Sequence, residues 1–285
     1  MKRYEGLAGW MACAVCLAGM VAQSMTTEVT LDYVTAYVDR GITGNERGSL
    51  QGGIEFSEFD EDLPLTLGIW ADWAVNSSKK TCARNDWYYC DHRQFGEVDI
   101  DVDYELEFGK LTAALGYTAY VFADADIDTD HEARLVLSYE TFLEPTVGVY
   151  YTFAGDPATV KTWYMECGVS HEFDIGDELK MRDRLKLEIG AKVGIQWWNG
   201  VSKEDYYEYE YDEDEDEEYA VDFVRGLRSG FSYAKYYAEG TWTVSALDDL
   251  GIKASLNYFQ RMRKDTLGDL HKCRWVAKVG MVKEF

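Results

Sequence analysis

The chain has 285 residues, with 52 acidic against 28 basic side chains and a formal net charge of −24. That balance argues against nucleic acid and anionic lipid surfaces as partners, because both repel a polyanion. After the apolar run Leu7 to Ala22 there is no second long uncharged stretch, so a helical membrane span is excluded from the rest of the chain.

Lys2 and Arg3 precede the apolar run, and Ala22-Gln23-Ser24 closes it with small residues at the spacing of a cleavage site. Residues 1–24 are therefore expected to be a secretory signal peptide, and 25–285 the mature domain. Cys13 and Cys16 leave with that segment.

From there a period of two recurs about twelve times, the spacing of strands that send alternate side chains to opposite faces. The first strand, Thr27 to Asp39, puts Val29, Leu31, Tyr33 and Tyr37 on its apolar face, and Gly41 to Arg47 is its turn. The second returns through Leu50, Gly52, Ile54 and Phe56. The third shows Leu65, Leu67, Ile69, Ala71 and Trp73 outward and Thr66, Trp70 and Asp72 inward. A long polar loop follows, holding Cys82 and Cys90, which are expected to pair as a disulfide in an oxidising compartment.

The fourth strand has the sharpest pattern. Glu97, Asp99, Asp101, Asp103, Glu105 and Glu107 alternate with Val98, Ile100, Val102, Tyr104, Leu106 and Phe108. Carboxylates two apart on a strand are roughly 7 Å from each other. Each pair then repels by about 0.6 kcal/mol in water and about 2.4 kcal/mol at an effective dielectric near 20. Six in a row are tolerable only where water reaches them, while the opposite face needs a dry surrounding along its whole length. A transmembrane strand lining a wet lumen meets both demands.

The remaining strands keep the rule. The ninth is the cleanest, with Leu185, Leu187, Ile189, Ala191, Val193, Ile195 and Trp197 on one face and Lys186, Glu188, Lys192 and Gln196 on the other. The last ends on Trp275, Ala277, Val279, Met281 and Phe285. Short turns near residues 60, 109, 143 and 247 alternate with longer connections, and all three prolines fall between strands. Aromatics cluster near the ends of the apolar face. A soluble β-sandwich also has one apolar face, but its strands are shorter, near five or six residues. The expected fold is an all-β, transmembrane, antiparallel up-and-down barrel of about 12 strands in a Gram-negative-type outer membrane. Its short turns and both termini would lie on the periplasmic side.

The segment Thr35-Ala36-Tyr37-Val38-Asp39-Arg40-Gly41-Ile42-Thr43, followed by Leu50-Gln51-Gly52-Gly53, resembles the opening of the TorF-type porin family. Ala36 stands where that family usually has Asp, and Asp39 where it usually has an aromatic residue. The resemblance implies an outer-membrane barrel and passive transport, with no particular solute.

In a ring of twelve the fourth strand faces the tenth. The later strands contribute Lys186, Lys192, Lys235, Lys253, Arg261, Arg274 and Lys278 inward, so an acidic wall is expected to face a basic one as a pore lining. The same charges would also suit pairing inside a closed lumen. The function expected from this is a porin-like channel for small polar or cationic solutes. The alternative is a closed structural or adhesive barrel acting through its outer loops. No Ser/His/Asp set converges around the four histidines, so an enzyme is not expected. Neither a metal nor another cofactor is expected: no Cys/His spacing resembles a zinc site, and the acidic run Glu204 to Glu218 lacks the pivoting glycine of a calcium loop and reads as solvated. The expected partners are outer-membrane lipid, small polar solutes and the barrel-assembly machinery, with Phe285 as the assembly signal.

Overall fold

The computed structural model describes residues 25–40, 42–45, 48–59, 63–75, 95–122, 129–154, 162–178, 183–198, 208–212, 217–221, 230–247, 249–262 and 273–285. The signal segment and the Cys82–Cys90 pair lie outside the described residues.

Twelve strands close into one antiparallel barrel. In chain order they are β1 (Thr26–Val34), β4 (Ser49–Ser57), β5 (Leu65–Ala74), β6 (Phe95–Phe108), β7 (Leu111–Phe122) and β8 (Asp130–Tyr139), then β9 (Thr146–Ala154), β10 (Thr162–Asp174), β11 (Arg184–Trp198), β14 (Gly230–Val244), β15 (Leu250–Arg261) and β16 (Cys273–Glu284). Two small hairpins stand apart from the wall: β2 (Tyr37–Asp39) with β3 (Ile42–Asn45), and β12 (Glu208–Asp212) with β13 (Glu217–Val221). The acidic run read as a solvated loop thus contains a paired hairpin.

Every wall strand pairs with its sequence neighbours, and β1 closes the ring on β16. The seam ends where the Phe285 amide donates to the Thr27 carbonyl at 2.9 Å and the Thr27 amide returns the bond at 3.2 Å. Closure leaves no free sheet edge, which a hydrocarbon surrounding would penalise at each unpaired N–H and C=O. Gly109 takes a φ of +66° in the two-residue turn between β6 and β7, a conformation that suits glycine.

The alternation read from sequence holds along the wall. Ile69, Ile100, Leu115, Ile189, Leu256 and Val279 are all exposed on the outer face although large and apolar. Among the described residues most of the buried side chains are polar or small and face inward, such as Ser49, Asp72, Thr118 and Glu132. A soluble domain would invert that distribution.

A further expectation fails. The first strand does not run to Asp39: it stops at Val34, and the chain bends at Thr35 and Ala36. Thr35 makes the last wall contacts, its amide bonding the Ala277 carbonyl at 2.9 Å and its hydroxyl accepting from the Ala277 amide at 3.0 Å. Tyr37, assigned by period to the lipid face, instead enters the lumen with β2. Its hydroxyl bonds Glu97 at 3.0 Å, a better place for a phenolic group than hydrocarbon.

Replacing Ile100 by Arg on the outer face should lower the folding stability in lipid vesicles by about 2–4 kcal/mol, the penalty for a cation facing hydrocarbon. Denaturant titration checks this, and wild-type stability would show that this face does not meet lipid.

Candidate functional site in the lumen

The site is built from the inward halves of the alternating strands and from the β2–β3 hairpin. The hairpin leaves the ring between β1 and β4, so the wall opposite it is β9 and β10. Arg40, at its turn, reaches that opposite side. Its two terminal nitrogens grip both oxygens of Glu132 on β8, Nη2 to Oε1 at 2.6 Å and Nη1 to Oε2. The guanidinium carbon lies 4.4 Å from the ring centre of Tyr150 on β9 and 4.9 Å from that of Tyr164 on β10. The hairpin therefore crosses the full width of the lumen.

Other contacts hold it on the way. Tyr37 sits 5.5 Å from Trp70, ring centre to ring centre, as well as bonding Glu97. Ala36 is buried with Tyr164, Tyr233, Phe259 and Val276, and Val38 and Tyr150 pack against that cluster. Tyr150, Tyr164, Tyr233 and Phe259 thus come together at the long-loop end of the barrel. Trp70 joins the hairpin by the separate Tyr37 contact.

Glu132 is fully buried, and two further donors complete its shell: Tyr120 Oη at 3.1 Å and Thr152 Oγ1 at 3.3 Å. A carboxylate with four hydrogen bonds, two of them from a bidentate guanidinium, is satisfied, whereas removing one partner of such a pair costs about 3–5 kcal/mol. Arg40 also adopts a φ of 45°, the left-handed region that costs an L-residue about 1–2 kcal/mol. The contacts of its side chain offset that strain.

The acidic face of β6 points inward as expected, with Glu97 buried, Asp99, Asp101 and Asp103 half-buried, and Glu105 and Glu107 exposed at the short-turn rim. It is not bare. Arg134, from β8, passes over Gly116 to bond Asp101 at 2.9 Å through Nη1 and Asp103 at 3.0 Å through Nε, with a second contact from Nη2 to Asp103. Beside this group lies a cavity of about 310 Å³ whose lining includes Glu28, Glu55, Trp70, Asp101, Asp103 and Arg134.

On the other side of the ring the cations pair sideways rather than across. Lys186 reaches Glu172 at 2.8 Å, Lys192 reaches Glu166 at 2.9 Å, and Lys278 lies 3.4 Å from Asp32 and 3.6 Å from Glu239. Lys235 rests against the rings of Tyr237 and Phe259, at 5.1 and 5.6 Å. Lys253 and Arg261 make no ion pair among the described residues, and Arg274 faces inward at the upper end of β16. Glu166 also takes the hydroxyls of Tyr164 at 3.1 Å and Tyr233 at 2.5 Å. That geometry requires Gly194, because a Cβ there would strike the Tyr233 ring. Phe285 is exposed at the barrel end with Lys283 Nζ 5.7 Å from its ring.

Reading from sequence missed Arg134 and Glu132, and gave Arg40 no role beyond a resemblance. Both wall residues were present as inward positions of the sixth strand, between the outward residues His131, Ala133 and Leu135.

No family model matches the chain, and no curated protein matches it either. Among solved structures, the COG4313 outer membrane channel from Pseudomonas putida F1 is similar at a TM-score of 0.50 and 7% identity, covering 92% of this chain and 95% of that one. The NanC porin gives 0.47 at 8% identity over 90% and 98%, and LpxR from Salmonella typhimurium 0.47 at 11% over 90% and 99%. What the likeness to the COG4313 channel carries is the fold: the chain is a closed twelve-stranded antiparallel barrel of the outer-membrane kind.

A methyl group on Gly116 would overlap Asp103 Oδ1 and Arg134 Nε, whereas one on Gly240 would find its nearest atom, the Lys186 carbonyl, at 3.9 Å. Gly116→Ala should therefore cost about 1–3 kcal/mol of stability, as overpacking does, and Gly240→Ala almost nothing. Equal unfolding midpoints for the two variants would show that Arg134 does not lie over Gly116.

Proposed function

We propose that this barrel is a porin-like channel of the outer membrane that passes small polar solutes by diffusion and favours cations. The observation that carries the reading is the cavity beside β6, which four carboxylates line against one guanidinium. A wet, low-dielectric-walled space with that excess of negative charge concentrates cations and repels anions. The likeness of Thr35 to Thr43 and Leu50 to Gly53 to the TorF-type porin family supports the same class, as does the likeness to the COG4313 outer membrane channel.

The reading includes no catalysis. His131 bonds Tyr117 at 2.7 Å and stacks beside Phe153, and His171 packs against Phe142 and Phe173, all on the outer face and away from the lumen. A second reading, a closed barrel acting through its outer loops, is favoured by the hairpin that crosses the lumen.

Planar-bilayer recording under a salt gradient separates the two. The wild type should conduct with a cation-selective reversal potential. Asp101→Asn with Asp103→Asn keeps side-chain size, removes two charges, and should move that potential toward zero. Selectivity should also weaken in strong salt, where the screening length falls to about 3 Å at 1 M. A silent wild type would favour the closed barrel, and an unchanged potential in a conducting double variant would place the acidic wall off the ion path.

A further inference from the structure

The place where Arg40 rests has a recognition chemistry of its own. Glu132 presents both carboxylate oxygens to one planar cation, and Tyr120 and Thr152 donate to those same oxygens and fix their direction. The faces of Tyr150 and Tyr164, with ring centres 5.5 Å apart, flank the guanidinium. A bidentate carboxylate with aromatic faces beside it matches a guanidinium in shape, hydrogen bonding and charge, and matches an ammonium far less well. All five of these residues belong to the wall strands β7 to β10. The cation alone comes from the hairpin.

The receptor is thus held by the rigid part of the molecule, and its occupant by a small appendage. β2 has three residues and β3 four, and their register slips between Tyr37 and Val38. Arg40 holds its left-handed backbone while the clamp is made. We propose that Glu132, Tyr150 and Tyr164 form a guanidinium-binding site of the lumen, filled here by the chain's own Arg40 and available to a guanidinium-bearing solute when the hairpin withdraws. The binding stands on geometry alone, and only the onward passage of the solute rests on the channel reading. A tethered occupant acts at an effective concentration in the millimolar range or above, so free competitors enter the wild-type site poorly. Removing the Arg40 side chain empties the site while Tyr37, Ala36 and Val38 still anchor the hairpin.

The test is chemical rescue. Purified Arg40→Ala, checked for its heat-modifiable folded band, is unfolded thermally in detergent with added methylguanidinium. The variant should unfold below the wild type, and millimolar methylguanidinium should raise its midpoint saturably, ethylammonium raising it less. The wild type and Arg40→Ala combined with Glu132→Gln should not respond. If Arg40→Ala fails to fold, Arg40→Lys keeps the charge without the fork and should show the same preference more weakly. No response in the single variant, or an equal response in the double variant, overturns the site. In bilayers methylguanidinium should interrupt the Arg40→Ala current. Rescue in a variant that carries no current upholds the site and sinks the channel reading. Current without rescue overturns the site and leaves the channel.

Discussion

A sheet whose outer face meets hydrocarbon has to satisfy every backbone N–H and C=O within itself, and the rest of this molecule follows from that demand. Closure of β16 on β1 removes the last edge, and it forces one face of all twelve strands to the same side. The period of two then partitions the side chains: most large aliphatic groups go outward, and most polar ones go into a shared lumen. Charges placed there have to be answered by other charges, since the walls exclude bulk solvent from part of each side chain.

The two halves of the lumen answer in different ways. Lys186, Lys192 and Lys278 find carboxylates one or two strands away, so that side is a ladder of local pairs. The β6 side has more carboxylates than cations, and Arg134 and Arg40 are brought to Asp101, Asp103 and Glu132 from two strands along and from the hairpin. Arg suits both places because its planar fork meets a carboxylate with two parallel bonds. The negative excess that remains borders the cavity. Above it, the aromatic cluster of Tyr164, Tyr233 and Phe259 gives the hairpin an apolar seat, and the Arg40 clamp gives it a polar end.

The wall was legible in the sequence because a strand with lipid on one side and water on the other writes its geometry into every second residue. Val98 to Phe108 against Glu97 to Glu107 is the plainest case, and even inward Trp70 was placed by it. The hairpin was not legible. Tyr37 keeps the period of Val29, Leu31 and Tyr33, so nothing in the pattern marks the bend at Thr35 and Ala36 that carries it to the other face. The partners of each charge were hidden for a related reason: period fixes a face, whereas pairing depends on register between strands. Arg134 meets Asp103 only because Gly116 of the strand between them faces both.

The central claim is that the first hairpin folds into the lumen, and proximity of Tyr37 to the wall tests it most directly. In a background with the native cysteines changed to serine, Tyr37→Cys and Glu97→Cys would be treated in intact outer membranes with a short thiol-to-thiol cross-linker. The account predicts an internal cross-link that shifts gel mobility, as expected of side chains that meet at 3.0 Å in the native pair. Two thiols that stay unlinked and both react with a bulky reagent added from outside would contradict it.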